Sequence, residues 1–596
     1  MRKVNFSCFF PVRFRGQLFL TLTILLSLII LPSLIVGCIG YSLDQGSHGG
    51  SIPVAQPEDE IDPDKGNEEE EEKKRLEEER LFEEEKARLA IIERKNLEDK
   101  RKNDLGAFYV PLPLLGQVRD NPPVKARGLY LTGNTAGGHP RYWELLDLIE
   151  ATELNAVVID VKNDHGMVTY NTEIEIVHQI SANKSAPIKD LEAVLEDLDS
   201  RDIYTIARVV VFKDPYLAEQ KTQWAIQRQG GGVWRDRKGV AWINPYDKKV
   251  WDYNIAVARE AALMGFREIQ FDYIRFPENA HHLDREAFFP GEDMPKDEII
   301  REFLIYAAEQ MKDYDVYLSA DVFGVIATSW GDSDRIGQTW EEMSPFIDYI
   351  CPMVYPSHYG PGYFGLAVPD AHPGKTVEYA MIDSIKRNAT LENPAIIRPW
   401  LQSFTASWVS GNISYGPAEV RAQIETALKL GIDEYLIWNA NNRYMPASYL
   451  SQEEFEKLDE KYLRFREESG KDVLGRTAQQ AVEAFLEAIN SRNWREAFAL
   501  QITGYEMDHR DYPEWKNQWV TKPVFYEIEP IPASGLGNPI FVNLEVHLTS
   551  RENEYKLDKE RWEVRQENLI WRVKPSPAFV ELLTSNRHNN EENPPG

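Results

Sequence analysis

Between Arg127 and Leu450 the chain alternates short runs rich in β-branched and aromatic residues with longer amphipathic runs, eight times over. That alternation marks parallel strand–helix units, because joining two parallel strands takes a crossover long enough to carry a helix. The β-rich runs are Gly128–Thr132, Ala156–Val161, Tyr204–Phe212, Glu268–Ile274, Val316–Val322, Tyr349–Tyr355, Ile396–Leu401 and Glu434–Asn439. Helical periodicity is plain in Arg141–Thr152, Lys249–Met264, Glu298–Lys312 and Pro417–Leu430. Eight units over roughly three hundred residues suit an α/β fold, a (β/α)8 barrel with long loops. An open doubly wound sheet is the alternative, but the glycine-rich turn it often carries is missing. Gly230-Gly231-Gly232 follows no strand and has no phosphate-loop lysine after it.

Barrel enzymes hold their chemistry at the C-terminal ends of the strands. Alternation of faces along a strand predicts which side chains point inward there. On strand two, Val157, Ile159 and Val161 pack outward and leave Asp160 and Lys162 at the mouth. On strand four, Ile269, Phe271 and Tyr273 face out while Gln270 and Asp272 face in. Strand five turns Tyr317, Ser319 and Asp321 inward, and strand three adds Arg208. Strand six ends at Tyr355, before Pro356-Ser357-His358-Tyr359.

An ionised group inside a barrel is costly unless it is paired or functional. A single inward aspartate is explained equally well as a salt-bridge partner; three of them favour a site. Glycoside hydrolysis needs one carboxylic acid to protonate the leaving oxygen and one carboxylate as nucleophile or base. Asp272 and Asp321, at one level of adjacent strands, form the expected catalytic pair, with Asp272 as nucleophile or base and Asp321 as acid. Arg275 or Arg208 is expected to stabilise Asp272, and Asp160 is the reserve carboxylate. Asp160, Lys162, Arg208, Arg275, Tyr355, His358, Trp400 and Trp438 make up the expected substrate-facing set. The aromatic members, and Tyr359, offer flat platforms to sugar rings, although single aromatics more often serve packing.

No metal or other cofactor is expected. His165, His281, His282 and His358 lack ligand spacing, and Cys8, Cys38 and Cys351 form neither a zinc pattern nor a disulfide framework. Cys351 reads as a small packing residue inside the barrel.

Three motifs then carry a resemblance. Asp272-Tyr273-Ile274-Arg275-Phe276-Pro277, Ser319-Ala320-Asp321-Val322-Phe323-Gly324 and Pro352-Met353-Val354-Tyr355-Pro356-Ser357-His358-Tyr359 resemble a (β/α)8 family of bacterial glycoside-hydrolase-like proteins. The likeness covers roughly 124–450 and implies a carbohydrate-directed site with Asp272 and Asp321 at its motif positions. It names no sugar. A carbohydrate-binding barrel without turnover and a cell-envelope scaffold stand as alternatives, neither of which requires the two aspartates to converge.

The flanks set the location. Arg2, Lys3, Arg13 and Arg15 precede an apolar run from Leu18 to Val36, the pattern of an export signal. The run closes on Ile35-Val36-Gly37-Cys38, which resembles a bacterial lipobox; residues 1–38 then form the signal, and Cys38 is the lipidation site. An uncleaved membrane anchor is the competing reading. Either one places the bulk of the chain outside the membrane, at the cell surface. Residues 39–67 read as a disordered polar linker. Residues 68–104 read as a charged helical stalk, with Glu-to-Lys/Arg pairs at helical spacing and a weak coiled-coil pattern. Lys plus Arg total 67 against 96 for Asp plus Glu, a net charge of −29, which excludes nucleic acid as the main partner.

After a charged connector over Glu453–Gly470, residues 472–584 read as a small α+β domain. Its signals are an amphipathic helix over Thr477–Leu500 and strands at Val524–Ile528, Ile540–Leu548, Arg561–Gln566 and Leu569–Val573. Helix first, then a curved antiparallel sheet, resembles the nuclear-transport-factor-two-like superfamily, and an accessory role is expected. The tail 585–596 is polar and expected to be disordered.

Overall fold

The computed structural model describes residues 63–114, 120–278, 280–332, 335–502, 512–519, 524–529, 538–549 and 554–584. The Leu18–Val36 run, Cys38, most of the 39–67 linker and the 585–596 tail lie outside the described residues. Among the described residues no helix is long and apolar enough to cross a membrane.

Helix α1 (Pro63–Leu105) covers the expected stalk. The chain divides at Arg88 into two units. On the first side, Arg80 bridges Glu77 and Glu84 at 2.6 Å each, with every partner exposed. Such i,i+3 and i,i+4 pairs support a helix that has no apolar face to bury. On the second side, Glu98 accepts hydrogen bonds from the Tyr109 hydroxyl at 2.8 Å and the Leu112 N–H at 2.6 Å, which ties the helix end to the segment leading into the barrel.

Eight parallel strands close on themselves. They are β1 (Arg127–Leu131), β2 (Ala156–Lys162), β3 (Tyr204–Val210), β4 (Glu268–Asp272), β5 (Tyr317–Phe323), β6 (Tyr349–Val354), β7 (Trp400–Gln402) and β8 (Tyr435–Trp438). Closure runs through β6, β7, β8 and β1, with Trp400 facing both Met353 and Leu436, and Leu436 facing Gly128. Helices α2 (Arg141–Glu150), α3 (Leu191–Ser200), α4 (Lys248–Met264), α5 (Lys296–Met311), α6 (Trp340–Met343), α7 (Pro373–Asn388) and α8 (Pro417–Lys429) follow β1 to β7 in turn, and α9 (Gln452–Ser469) follows β8. The fold is the (β/α)8 barrel that the alternation predicts.

Two hydrophobic layers follow from strand alternation. Val157, Ile159, Val209, Ile269, Phe271, Leu318 and Ala320 pack outward against the helices. Tyr130, Val158, Ile206, Tyr349, Cys351, Trp400 and Leu436 fill the interior.

Three expected strands are shaped differently. The seventh is interrupted at Pro399, which has no N–H to donate, so a two-residue piece at Ile396–Ile397 pairs with β6 before β7 begins. The fourth stops at Asp272, because Tyr273 takes a left-handed φ of 50°. In the second, Asp160 faces Arg208 but Lys162 faces Val209, a slip of one residue. This β-bulge reverses Lys162.

The C-terminal domain has helices α10 (Ala478–Asn490) and α11 (Trp494–Leu500), with α12 (Tyr512–Gln518) and α13 (Pro577–Thr584). Its antiparallel sheet runs β9 (Val524–Ile528), β10 (Ile540–Thr549), β11 (Glu554–Glu567), β12 (Ile570–Lys574). The expected single helix over Thr477–Leu500 is broken where Arg492 adopts a φ of 59°. Phe485, Trp562 and Phe579 meet in a core separate from that of the barrel.

Candidate active site

Asp160, Arg208, Asp272 and Asp321 come from the C-terminal ends of four successive strands and are all buried. Arg208 is the hinge of the cluster. Its Nη1 donates to Asp160 Oδ1 at 2.5 Å, while Nε and Nη2 donate to Asp272 Oδ2 at 2.9 and 2.5 Å. Burial works against the guanidinium charge, and Asp272 and Asp160 together outweigh it, so its pKa is pushed further up. Asp272 Oδ1 accepts the Tyr273 N–H at 2.6 Å, a contact that the left-handed Tyr273 backbone makes. Asp160 Oδ2 accepts the Tyr130 hydroxyl at 2.6 Å. Burial raises the Asp160 pKa, against the pull of Arg208 and Tyr130.

Asp321 is held differently. Gln270 faces Ser319 across β4 and β5, so Asp272 and Asp321 stand two residues further along, at one level. Asp321 Oδ1 accepts the Trp400 indole N–H at 2.7 Å, and among the described residues no arginine or lysine bonds to it. Burial first, and the Asp272 carboxylate second, push the Asp321 pKa well above the ordinary carboxylate value. Two neighbouring acids with different surroundings are the arrangement that separates a proton donor from a carboxylate.

The pair opens into a cavity of about 810 Å³. Of the expected substrate-facing set, Arg208, Arg275, Tyr355, His358, Trp400 and Trp438 line it. Arg275 is turned to other partners: it donates to the Phe276 carbonyl at 2.9 Å and to Glu278 at 3.1 Å, over the Phe323 ring. Of the two arginines considered for Asp272, Arg208 fills the role. Asp160 stands behind Arg208 rather than on the cavity wall. Lys162 is not in the site. The bulge turns it outward, where its Nζ meets Asp214 at 2.7 Å and the Val210 carbonyl at 2.6 Å, with both charges fully buried. Among the described residues no cluster of His, Cys, Asp and Glu has a metal-binding arrangement.

A family model described as "Putative glycosyl hydrolase domain" matches residues 128–444. The chain belongs to this family. The matched span begins in β1 and ends past β8, so the glycosyl hydrolase domain is the barrel itself.

Among solved structures, a hypothetical protein from Ruminiclostridium thermocellum is 44% identical over 33% of this chain and 97% of its own, with a TM-score of 0.30. The PgaB (BpsB) glycoside hydrolase domain from Bordetella bronchiseptica is 13% identical over 54% of this chain and 95% of its own, at 0.39. The α-galactosidase TtGalA from Thermus thermophilus is 12% identical over 58% and 63%, at 0.35. No curated protein matches the chain.

Several residues of the glycosyl hydrolase site escape a reading of strand ends. Tyr130 stacks on Trp438 with ring centroids 4.0 Å apart and holds Asp160; its inward place on strand one was the available signal. Tyr273, expected to face outward, lines the cavity because the strand ends before it. Gly324 closes the Ser319–Gly324 motif for a packing reason. A Cβ there would stand 2.5 Å from the Tyr359 hydroxyl and 2.6 Å from the Met353 carbonyl.

Proposed function

We propose that this barrel cleaves glycosidic bonds of an extracytoplasmic polysaccharide through Asp272 and Asp321. The unequal treatment of the two carboxyls carries the reading. Asp272 accepts two N–H groups from Arg208 and one from the backbone, which suits a carboxylate. Asp321, buried beside it with a raised pKa, suits the acid. In the first step the Asp321 proton passes to the glycosidic oxygen as the bond to the anomeric carbon breaks. The Asp272 oxygen meanwhile forms a bond to that carbon. In the second step water attacks the anomeric carbon, its proton returns to Asp321, and Asp272 leaves as carboxylate. Side-by-side seats on strands about 4.8 Å apart suit this retaining course, which uses carboxyls ~5–5.5 Å apart.

The test is turnover by the full chain on cell-wall and exopolysaccharide glycans beside activated aryl glycosides. Asp272→Asn is expected to lose at least about a thousandfold on both. Asp321→Asn is expected to lose far more on natural glycans, because an activated aryl leaving group scarcely needs protonation. Full activity of both variants on a natural glycan would remove the pair. Glycan binding by the wild type with no turnover would favour the binding barrel.

Anchoring through a lipid on Cys38 is part of the proposal, on the strength of the lipobox-like Ile35-Val36-Gly37-Cys38. Cys38→Ala should release the protein from membranes or leave its precursor unprocessed; unchanged retention and mobility would favour an uncleaved anchor. The C-terminal domain, which resembles the nuclear-transport-factor-two-like superfamily, is proposed as an accessory module. Tyr512 stacks on Trp330, in the loop that follows β5, at 6.1 Å, and Glu496 pairs with Lys386 of α7 at 2.6 Å.

A further inference from the structure

The loop between β7 and α8 is polar but uncharged. From Pro399 to Ala418 the loop, with β7 before it and the first residues of α8 after it, carries no charged residue, in a chain that is 27% charged. Thr405, Ser407, Ser410, Asn412 and Ser414 supply hydroxyl and amide groups instead. Trp408 stands in the middle, 68% exposed, more than any other large apolar side chain among the described residues.

Trp408 is displayed rather than loose. Ala406 beside it is fully buried, and a turn closes from the Val409 N–H to the Ala406 carbonyl at 2.9 Å. Gln402 donates to the Phe404 carbonyl at 3.0 Å, and the Tyr415 N–H donates to Thr405 Oγ1 at 3.0 Å, so both ends of the loop are tied down. The ring itself lies on Phe404, centroids 6.0 Å apart and planes 21° apart. Phe404 in turn lines the catalytic cavity and meets the edge of Tyr355 at 6.0 Å. An aromatic row therefore runs from buried Tyr355, through half-buried Phe404, to exposed Trp408.

We infer that Trp408 is a remote subsite for a neutral pyranose ring of the same glycan whose bond is cut between Asp272 and Asp321. The inference rests on the proposed function and adds to it the length and charge class of the substrate. The axial C–H groups of a pyranose carry partial positive charge and match the negative face of an indole. Its hydroxyls meet the surrounding serine, threonine and asparagine groups, and no charge in the loop selects for an ionic substituent. A ring that lies on Trp408 continues outward from the cavity across Phe404. The substrate is then a chain of several sugars, and a mono- or disaccharide reaches only the inner residues.

The experiment titrates the full chain carrying Asp272→Asn with neutral hexasaccharides by calorimetry. The probes are the hexamers of glucose in β-1,4 and α-1,4 linkage, of xylose, of galactose and of N-acetylglucosamine, each beside its disaccharide. Trp408→Ala in that background should weaken the bound hexamer about tenfold. It should leave the disaccharide affinity unchanged, and Trp408→Phe should restore most of the loss. A hexamer bound equally well by parent and Trp408→Ala, or an equal loss for hexamer and disaccharide, overturns the subsite while the glycosidase reading stands. A parent that binds no hexamer also overturns it; if the wild type in addition cleaves no glycan, the glycosidase reading falls too.

Discussion

The two ends of the barrel carry the same device put to different uses. At the C-terminal end Arg208 is clamped between Asp160 and Asp272, with the Tyr130 hydroxyl bonded to the first. At the N-terminal end Arg398 is clamped between Glu268 and Glu434, at 2.8 and 2.9 Å, with the Tyr204 hydroxyl bonded to Glu268 at 3.1 Å. Both arginines are buried, and in both the pull of the two acids outweighs the cost of burial. The difference lies in what surrounds them. The lower cluster is closed: its charges are satisfied by one another, and Arg398 lies 3.5 Å over the Tyr349 ring. The upper cluster opens on the cavity and has Asp321 beside it, a carboxyl bonded to the Trp400 indole rather than to a cation. A buried Arg–carboxylate triad is therefore weak evidence of function; the additional acid and the open face make the site.

Removing each arginine should break the likeness most sharply. Arg398→Met leaves Glu268 and Glu434 buried and unpaired, and is expected to cost about 3–5 kcal/mol of stability. Arg208→Met is expected to cost less stability, because water in the cavity reaches Asp272, but to abolish most turnover by leaving Asp272 unoriented. Thermal melts and kcat/KM on the same preparations check both. Equal stability losses with equal residual activity would erase the distinction between the two ends.

Asp321 supplies the next contrast, through pH. Its folded pKa is raised, so between the unfolded value, about 4, and the folded value the native state holds a proton that the unfolded state has lost. Stability contributed at this position falls as pH rises through that window. An amide in its place does not titrate and still accepts the Trp400 N–H, so Asp321→Asn should melt higher than wild type at pH 7 and level with it at pH 3. For activity the sign is also fixed: the acid must hold its proton, so the alkaline limb of kcat/KM should lie above the ordinary carboxylate range. A melting difference that does not change between pH 3 and pH 7 would contradict the raised pKa.

The sequence reaches the barrel and the cluster of inward charged residues at its mouth for a clear physical reason. Strand alternation has a period of two, and Asp160, Arg208, Asp272 and Asp321 all sit on unbroken stretches of it. It fails one residue beyond those stretches. Lys162 lies past a bulge and Tyr273 past a strand end, and either irregularity reverses the facing that alternation assigns. Alternation places Glu268 inward as surely as Asp272, yet gives no sign that Arg398 waits for it across the barrel. Partners that distant in sequence, like the choice of Arg208 over Arg275 for Asp272, are fixed by barrel closure and not by any local pattern.

The smallest expected effect discriminates most finely. Tyr130 and Tyr204 occupy equivalent posts, each giving one hydroxyl hydrogen bond to one acid of a triad. Tyr130→Phe and Tyr204→Phe should each cost about 1 kcal/mol of stability, the usual net worth of one such bond. Kinetics should separate them. Without the Tyr130 hydroxyl, Asp160 has only Arg208 to satisfy it and draws the guanidinium towards itself, away from Asp272 Oδ2. Turnover should then fall several-fold, with a shifted pH profile, while KM for a small aryl glycoside changes little. Tyr204→Phe, at the closed end, should leave both rate and profile at wild-type values. Equal kinetic losses in the two variants would mean that the ends are coupled through the barrel interior, by way of Gln270 and Cys351, which lie between the two clusters.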